Sequence, residues 1–407
     1  MLPVDEALEI VLAHTPRLGL EEVELEDALG RVLGQEVRAD ADMPPFDRSA
    51  MDGYAVRASD VAGAPVVLEV AGQIRAGQYP DRPLPPGQAM QVMTGAPVPA
   101  GATAVQPVEK TRAVDRGARV EILEAVDTGA HIARQGCEVA AGDVVLEAGR
   151  AIDPATTAVL AAVGKARVKV GRRPTVSVLV TGDELVEVWN APSRGHIRNS
   201  NGSALMAQAR WAGADVRSLG VVPDQAPLIA QAVREGFHSD VLVISGGVSE
   251  GAFDLVEEVL ARFDVGFLFT KVAIKPGAPL VFGRRGDKLV FGLPGNPVSA
   301  QVTFDLFARA ALLRMQGARV VSRPAVEVEL LESVTNRSGR RNHLPARVRF
   351  EGSRLVATPL RSVGSADVVA HARANALVVM GSERLKAEAG EKAPAILLGN
   401  FLERDGL

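Results

Sequence analysis

The chain has 407 residues, a formal net charge of −4 and one cysteine, Cys137. That length exceeds a single core and predicts two to four domains. Weak acidity without a basic run argues against nucleic acid as a partner, and one cysteine excludes an intrachain disulfide framework or a cysteine-based zinc site. The N-terminus, Met1-Leu-Pro-Val-Asp-Glu6, is acidic and lacks the pattern of a signal peptide. No apolar run reaches the ~18 residues of a transmembrane helix. A cytoplasmic protein with no membrane partner is expected.

In chain order, the spacing predicts an amphipathic helix over 3–13 and a short helix over 25–33. Short β runs at 66–70, 89–93, 104–107 and 119–123, separated by Gly/Pro turns, read as a small β-rich domain. Asp153-Pro154 and Gly164 bracket a further helix, with Asp as cap, Pro in the first turn and Gly as stop. From residue 175 onward strands alternate with helices: strands at 175–180, 216–221 and 241–244, helices at 203–211, 227–235 and 255–263. That alternation predicts a doubly wound α/β sheet covered on both faces. A helix over 297–315, stopped by Gly317, closes this region. The remaining residues carry short strands at 326–330, 347–350, 355–357, 376–380 and 395–398, predicting a small β-barrel or sandwich.

Three successive units between 241 and 299 share one design, an apolar strand followed by a loop of Gly, Pro and polar groups. Ligands of open α/β sheets sit beyond the carboxyl ends of the strands. In Gly292-Leu-Pro-Gly-Asn-Pro297, Asn296 can cap and Pro297 can open the next helix, whose free N–H groups favour an anion; a plain capped strand–turn–helix explains it equally well. Lys271 and Lys275 fall on one face of an extended segment and suit a phosphate or oxyanion, or are simply solvated. Ser245-Gly-Gly-Val-Ser249 resembles a phosphate loop, with Asp254 behind it and a second acid in Thr181-Gly-Asp-Glu184. Mg²⁺ takes one or two carboxylates plus phosphate oxygens. Asp224, just before a helix, is a strong case for a plain helix cap, and on its residues alone Asp52-Gly53 is a turn and nothing more. The six histidines show no metal-ligand spacing, and neither a Walker A nor a GxGxxG motif is present.

Taken in order, Pro45-Phe-Asp-Arg-Ser-Ala-Met-Asp-Gly-Tyr-Ala-Val56, Met93-Thr-Gly-Ala-Pro97, Thr181-Gly-Asp-Glu-Leu185, the 245–254 loop, Lys271-Val-Ala-Ile-Lys-Pro-Gly277 and Gly292-Leu-Pro-Gly-Asn-Pro-Val-Ser299 resemble the molybdopterin molybdenumtransferases, the MoeA-like proteins that include the gephyrin E domain. The resemblance implies a multidomain α/β plus β protein in four parts: residues 1–43 with 132–172, an inserted β-rich domain at 44–131, the α/β domain at 173–319 and a C-terminal β-barrel at 320–407. It implies insertion of molybdate into adenylylated molybdopterin with release of AMP, Mg²⁺ as cofactor, and a homodimer in which the inserted domain of one protomer faces the α/β domain of the other. The upstream molybdopterin adenylyltransferase is an expected partner. Residue by residue, Asp254 and Glu184 match the metal acids, and Lys271 and Lys275 the oxyanion lysines. Ser245, Gly246, Gly247, Pro294, Asn296 and Pro297 match the phosphate and nucleotide loops. Asp224, Thr94 and Asp52 match further pocket positions, as do Arg347 and Ser365 in the last domain. Asp52, Asp254, Lys271 and Lys275 are the expected catalytic set. Gly136-Cys-Glu138 departs from the family's Gly-Glu-Asp. Motifs do not separate molybdate from tungstate, so a tungstate-inserting paralogue is an alternative, as is a non-catalytic dimeric scaffold.

Overall fold

The computed structural model describes residues 1–246 and 253–399, Phe253 and Asp254 by their backbone alone. Two compact units form: Met1–Gln35, Ala148–Pro154 and Arg167–Leu407 make one, Glu36–Glu147 and Ala155–Ala166 the other.

In the larger unit a six-stranded sheet runs in the order Asp215–Val222, Thr175–Thr181, Val241–Ser245, Lys288–Leu293, Pro279–Arg285, Gly266–Lys271. The first four strands are parallel. The last two pair antiparallel, a mixed edge that the sequence reading did not anticipate. Two antiparallel steps restore direction, so Lys271 ends at the same edge as Thr181, Ser245 and Leu293. Side chains alternate across the sheet. Val176, Val178, Val180, Val241 and Val243 pack with Leu205 and Ala209 of the Ser200–Trp211 helix. Leu179, Leu242 and Ile244 pack on the other face with Ile229 and Val233 of the Ala226–Gly236 helix and with Val256, Val259 and Leu260. Both faces are covered, which is why these strands read as continuous apolar runs. The central domain is the doubly wound α/β fold that the alternation predicts.

The helix expected at 25–33 does not form: only a three-residue turn of 3-10 helix, Leu25–Asp27, is present there, just after a strand at Leu20–Glu24. Long-range pairing overrides local propensity here: Leu20–Glu24 pairs with Arg167–Gly171, and Gly30 N–H donates to the Ile152 carbonyl. The helix expected over 297–315 forms, with a π-helical segment at Phe304–Ala308 inside it.

Five strands at the C-terminal end close on themselves. Arg341–Glu351 pairs with Arg354–Pro359, which leads through Ala325–Leu330 and Lys392–Leu397 to Ala376–Met380 and back to Arg341–Glu351. This is a barrel, not a sandwich, and Val328, Leu330, Val348, Ala357, Val378 and Ala395 fill it.

The smaller unit holds a six-stranded sheet in the order Ala104–Pro107, Gly53–Val56, Gln88–Val92, Val66–Ile74, Arg119–Ile122, Thr111–Val114. Gly53–Val56 is wholly buried: Tyr54 and Val56 face one cluster and Ala55 the other. The Asp52-Gly53 turn signal leads directly into this inner strand. Among the described residues no helix is long and apolar enough to cross a membrane.

Candidate functional site

A cleft of about 1420 Å³ lies within the larger unit, beyond the carboxyl ends of the parallel strands. Its wall includes Glu184, Asp224, Gly246, Lys275, Asn296 and Ser365, with Pro294 and Pro297 beside them. The strand order reverses between Thr175–Thr181 and Val241–Ser245, so the cleft occupies the switch point where such sheets bind ligands.

Glu184 is placed by backbone bonds. Its carbonyl accepts from Ile197 N–H at 2.9 Å, and the Val186 carbonyl accepts from Asn199 N–H at 2.8 Å. Gly182 allows the turn: at φ +154° it has no Cβ, and one built there would meet the Glu184 carboxylate at 2.6 Å. Asp224 is not a helix cap, for the residue capping Ala226–Gly236 is Gln225. Instead its N–H is held by the Asp183 carboxylate at 3.1 Å. Burial, then the neighbouring Asp183 and Glu184 charges, hold the Asp224 carboxyl above the usual range. No group of three or more His, Cys, Asp or Glu side chains gathers to hold a metal among the described residues. The carboxylates Glu184 and Asp224 line the cleft, as does Asp367 from the C-terminal region. That donor set suits a hard cation whose remaining ligands are phosphate oxygens and water.

Asn296 precedes the Pro297–Thr303 helix without a side-chain capping bond. Pro297 has no N–H, and Val298 N–H donates to the Ser365 carbonyl at 2.9 Å. The barrel segment thus already takes one of the amides that the sequence reading left free for an anion. Ser245 is fully buried. Its hydroxyl donates to the Pro294 carbonyl at 3.1 Å and accepts from Asn201 Nδ2 at 2.9 Å, so it braces two loops behind the wall.

The other expected residues lie elsewhere. Lys271 is exposed at its strand end and is not part of the wall. Arg347 pairs in register with Thr358 on the barrel, also away from the wall. Asp52 and Thr94 meet in the smaller unit, where Thr94 N–H and hydroxyl both donate to Asp52 Oδ1, at 2.6 and 2.9 Å. The backbone N–H, then the hydroxyl, hold that carboxyl below the usual range. Gly247 and the Asp254 side chain lie outside the described residues.

Two cleft cations, Arg198 and Arg340, escaped the sequence reading. Arg340 lines the wall with Lys275, because Ile274–Lys275 pairs with Arg341–Glu351 in parallel and sets Lys275 opposite Asn342. The signal was Gly339 (φ +61°) opening that strand, a turn that delivers the next residue to the strand end.

His343 forms part of the same wall and is buried. Burial foremost, then the Arg341 charge, push it down to about 4, against the opposing pull of the Lys275 carbonyl and of Asp5. Unfolded, it titrates near the usual ~6.5. Between these values the unfolded chain binds a proton that the native chain does not. The stability from neutral His343 is therefore full above pH ~6.5, falls with pH, and is gone below ~4. The two values set it at ~3 kcal/mol. His343→Phe should flatten that part of the curve in urea unfolding between pH 7 and 4; an unchanged slope would remove His343 as its source.

The switch-point cleft, its carboxylates and its cations define an α/β protein whose site has the chemistry to hold a phosphorylated anion, with a barrel completing the wall. Comparison with known proteins narrows this. Residues 2–164 match the MoeA N-terminal region (domain I and II), residues 177–314 the probable molybdopterin binding domain, and residues 327–398 the MoeA C-terminal region (domain IV). The chain is 35% identical to the molybdopterin molybdenumtransferase of Bacillus subtilis (strain 168), over 98% of this chain and 94% of that one. It is 33% identical to that of Staphylococcus aureus (strain MRSA252), over 95% and 93%. The crystal structure of the molybdopterin biosynthesis MoeA protein from Pyrococcus horikoshii OT3 superposes with a TM-score of 0.84 at 29% identity, covering 98% and 100%. The chain belongs to the molybdopterin molybdenumtransferase family.

Proposed function

We propose that this protein inserts molybdate into adenylylated molybdopterin and releases AMP. The observation that carries this reading is one cleft at the switch point lined by cations, Lys275 and Arg340 among them, and by carboxylates, Glu184 and Asp224 among them. A dianionic oxyanion and a pyrophosphate repel each other, so bringing them together needs fixed positive charge. Lys275 and Arg340 supply it as a point charge and a planar fork. Holding the two reactants side by side converts a bimolecular step into one within a complex.

Mg²⁺ belongs to the proposal. Glu184, with Asp254, would hold it against the substrate's pyrophosphate, where a divalent cation offsets negative charge on the leaving adenylate. A homodimer in the cytoplasm is proposed with it, supported by the family resemblance. The test is a defined assay with adenylylated molybdopterin, Mg²⁺ and either molybdate or tungstate, scoring AMP release and cofactor formation. Molybdate- and Mg²⁺-dependent AMP release is expected. No turnover with either oxyanion would leave the scaffold reading standing in its place.

A further inference from the structure

Asn201 sits in the first turn of the Ser200–Trp211 helix and lines the cleft, at 8% exposure. Its Nδ2 donates to Ser245 Oγ at 2.9 Å and to the Gly295 carbonyl at 2.8 Å. A carbonyl only accepts, and the single hydroxyl proton of Ser245 goes to the Pro294 carbonyl. Both partners therefore require the amide nitrogen, which fixes the orientation of the side chain. Oδ1 is left buried and, among the described residues, without a hydrogen-bond partner. Buried polar atoms are rarely left so, and each exception asks for a cause.

Among the described residues no donor reaches Oδ1: Pro294 and Pro297 have no N–H, and the Asn199 side chain meets Gly202 N–H through its own oxygen. Phosphate and molybdate oxygens only accept, so the anionic parts of the substrate cannot satisfy Oδ1. Pro294 and Pro297 line the same cleft with apolar surface, which suits a planar ring better than a phosphate. We propose that Asn201 Oδ1 accepts an N–H from the amino group of the bound heterocycle, and so reads that ring. The assignment rests on the proposed function, whose substrate carries two such groups, on adenine and on the pterin.

The test measures binding rather than turnover. Calorimetric titration compares AMP with purine riboside 5′-monophosphate, which lacks the amino group, and a 2-aminopterin with its 2-oxo counterpart. One of these pairs should differ about tenfold in affinity on the wild type, and the pair that differs names the source. Asn201→Ala should lose that preference. Asn201→Asp, which keeps an acceptor but loses both donor bonds, should keep it even if the fold is weakened; a purely structural Asn201 would make the two variants behave alike. Binding of both members of each pair without preference overturns the assignment alone, as does a preference that survives Asn201→Ala. Binding of no nucleotide and no pterin overturns the proposed function with it.

Discussion

Gly246→Ala is expected to cost stability and at least tenfold in AMP affinity together. Gly246 follows the Val241–Ser245 strand at φ +103°, in the region that L side chains avoid, and a Cβ built there would lie 2.0 Å from the Thr181 carbonyl oxygen. The obstacle is backbone on a neighbouring strand and cannot swing away. The Val241–Ser245 and Thr175–Thr181 strands pair in register up to Val180 and Ser245, so relief requires the two strand ends to part at the switch point. Overpacking of this kind costs ~1–3 kcal/mol, and the left-handed conformation ~1–2 more. Gly295→Ala is the control: among the described residues its Cβ would meet Gly246 Cα alone, at an ordinary 3.7 Å. Urea midpoints and AMP titration of both variants check this. A Gly246→Ala protein with wild-type affinity would mean that the crevice tolerates a wider opening than the geometry allows.

The same crevice shows how far the sequence could be read. Glu184, Gly246, Lys275 and Pro294 were legible because each lies within four residues beyond the carboxyl end of a sheet strand, and direction in a doubly wound sheet places those ends together. Arg340 was not, because its position depends on Ile274–Lys275 pairing with a barrel strand far along the chain. Arg347 was favoured in its place, yet it lies further along the same strand, opposite Thr358. Asn296 matches the capping pattern, but the first free amide of its helix is met by the Ser365 carbonyl, a partner supplied by tertiary structure alone. Ser245 looked like a phosphate-binding hydroxyl. Its burial depends on Asn201 and Pro294 reaching it from two other segments, which composition cannot reveal. Local chemistry predicted which loops carry the site; long-range pairing decided which side chains in them face it.

Long-range pairing also holds the barrel to the α/β domain, and here the second large effect is expected. Asp305 lies in the π-helical segment at 5% exposure. Both of its oxygens accept from Arg323, Nε at 2.6 Å and Nη2 at 2.7 Å, and Arg309 Nε stands 3.9 Å away. Arg323 also stacks over Trp211, 5.1 Å from the ring centroid, and Arg309 donates to the Val321 carbonyl at 2.8 Å. These bonds fix the connector that leads into the barrel, and the barrel brings Arg340 and Ser365 to the cleft. Burial already pulls Arg309 below its ordinary value, with Asp305 opposing that pull. Asp305→Ala would leave two largely buried guanidinium groups without their carboxylate. Breaking a buried pair from one side costs ~3–5 kcal/mol, whereas replacing all partners by apolar groups is often neutral. Asp305→Ala should therefore lower the urea midpoint sharply, with Trp211 fluorescence reporting the loss of the stacked Arg323. Asp305→Leu combined with Arg323→Met and Arg309→Met should recover much of it. If the single variant were as stable as the wild type, the connector would be held by apolar packing, and the ion pair would not be what fixes the barrel beside the cleft.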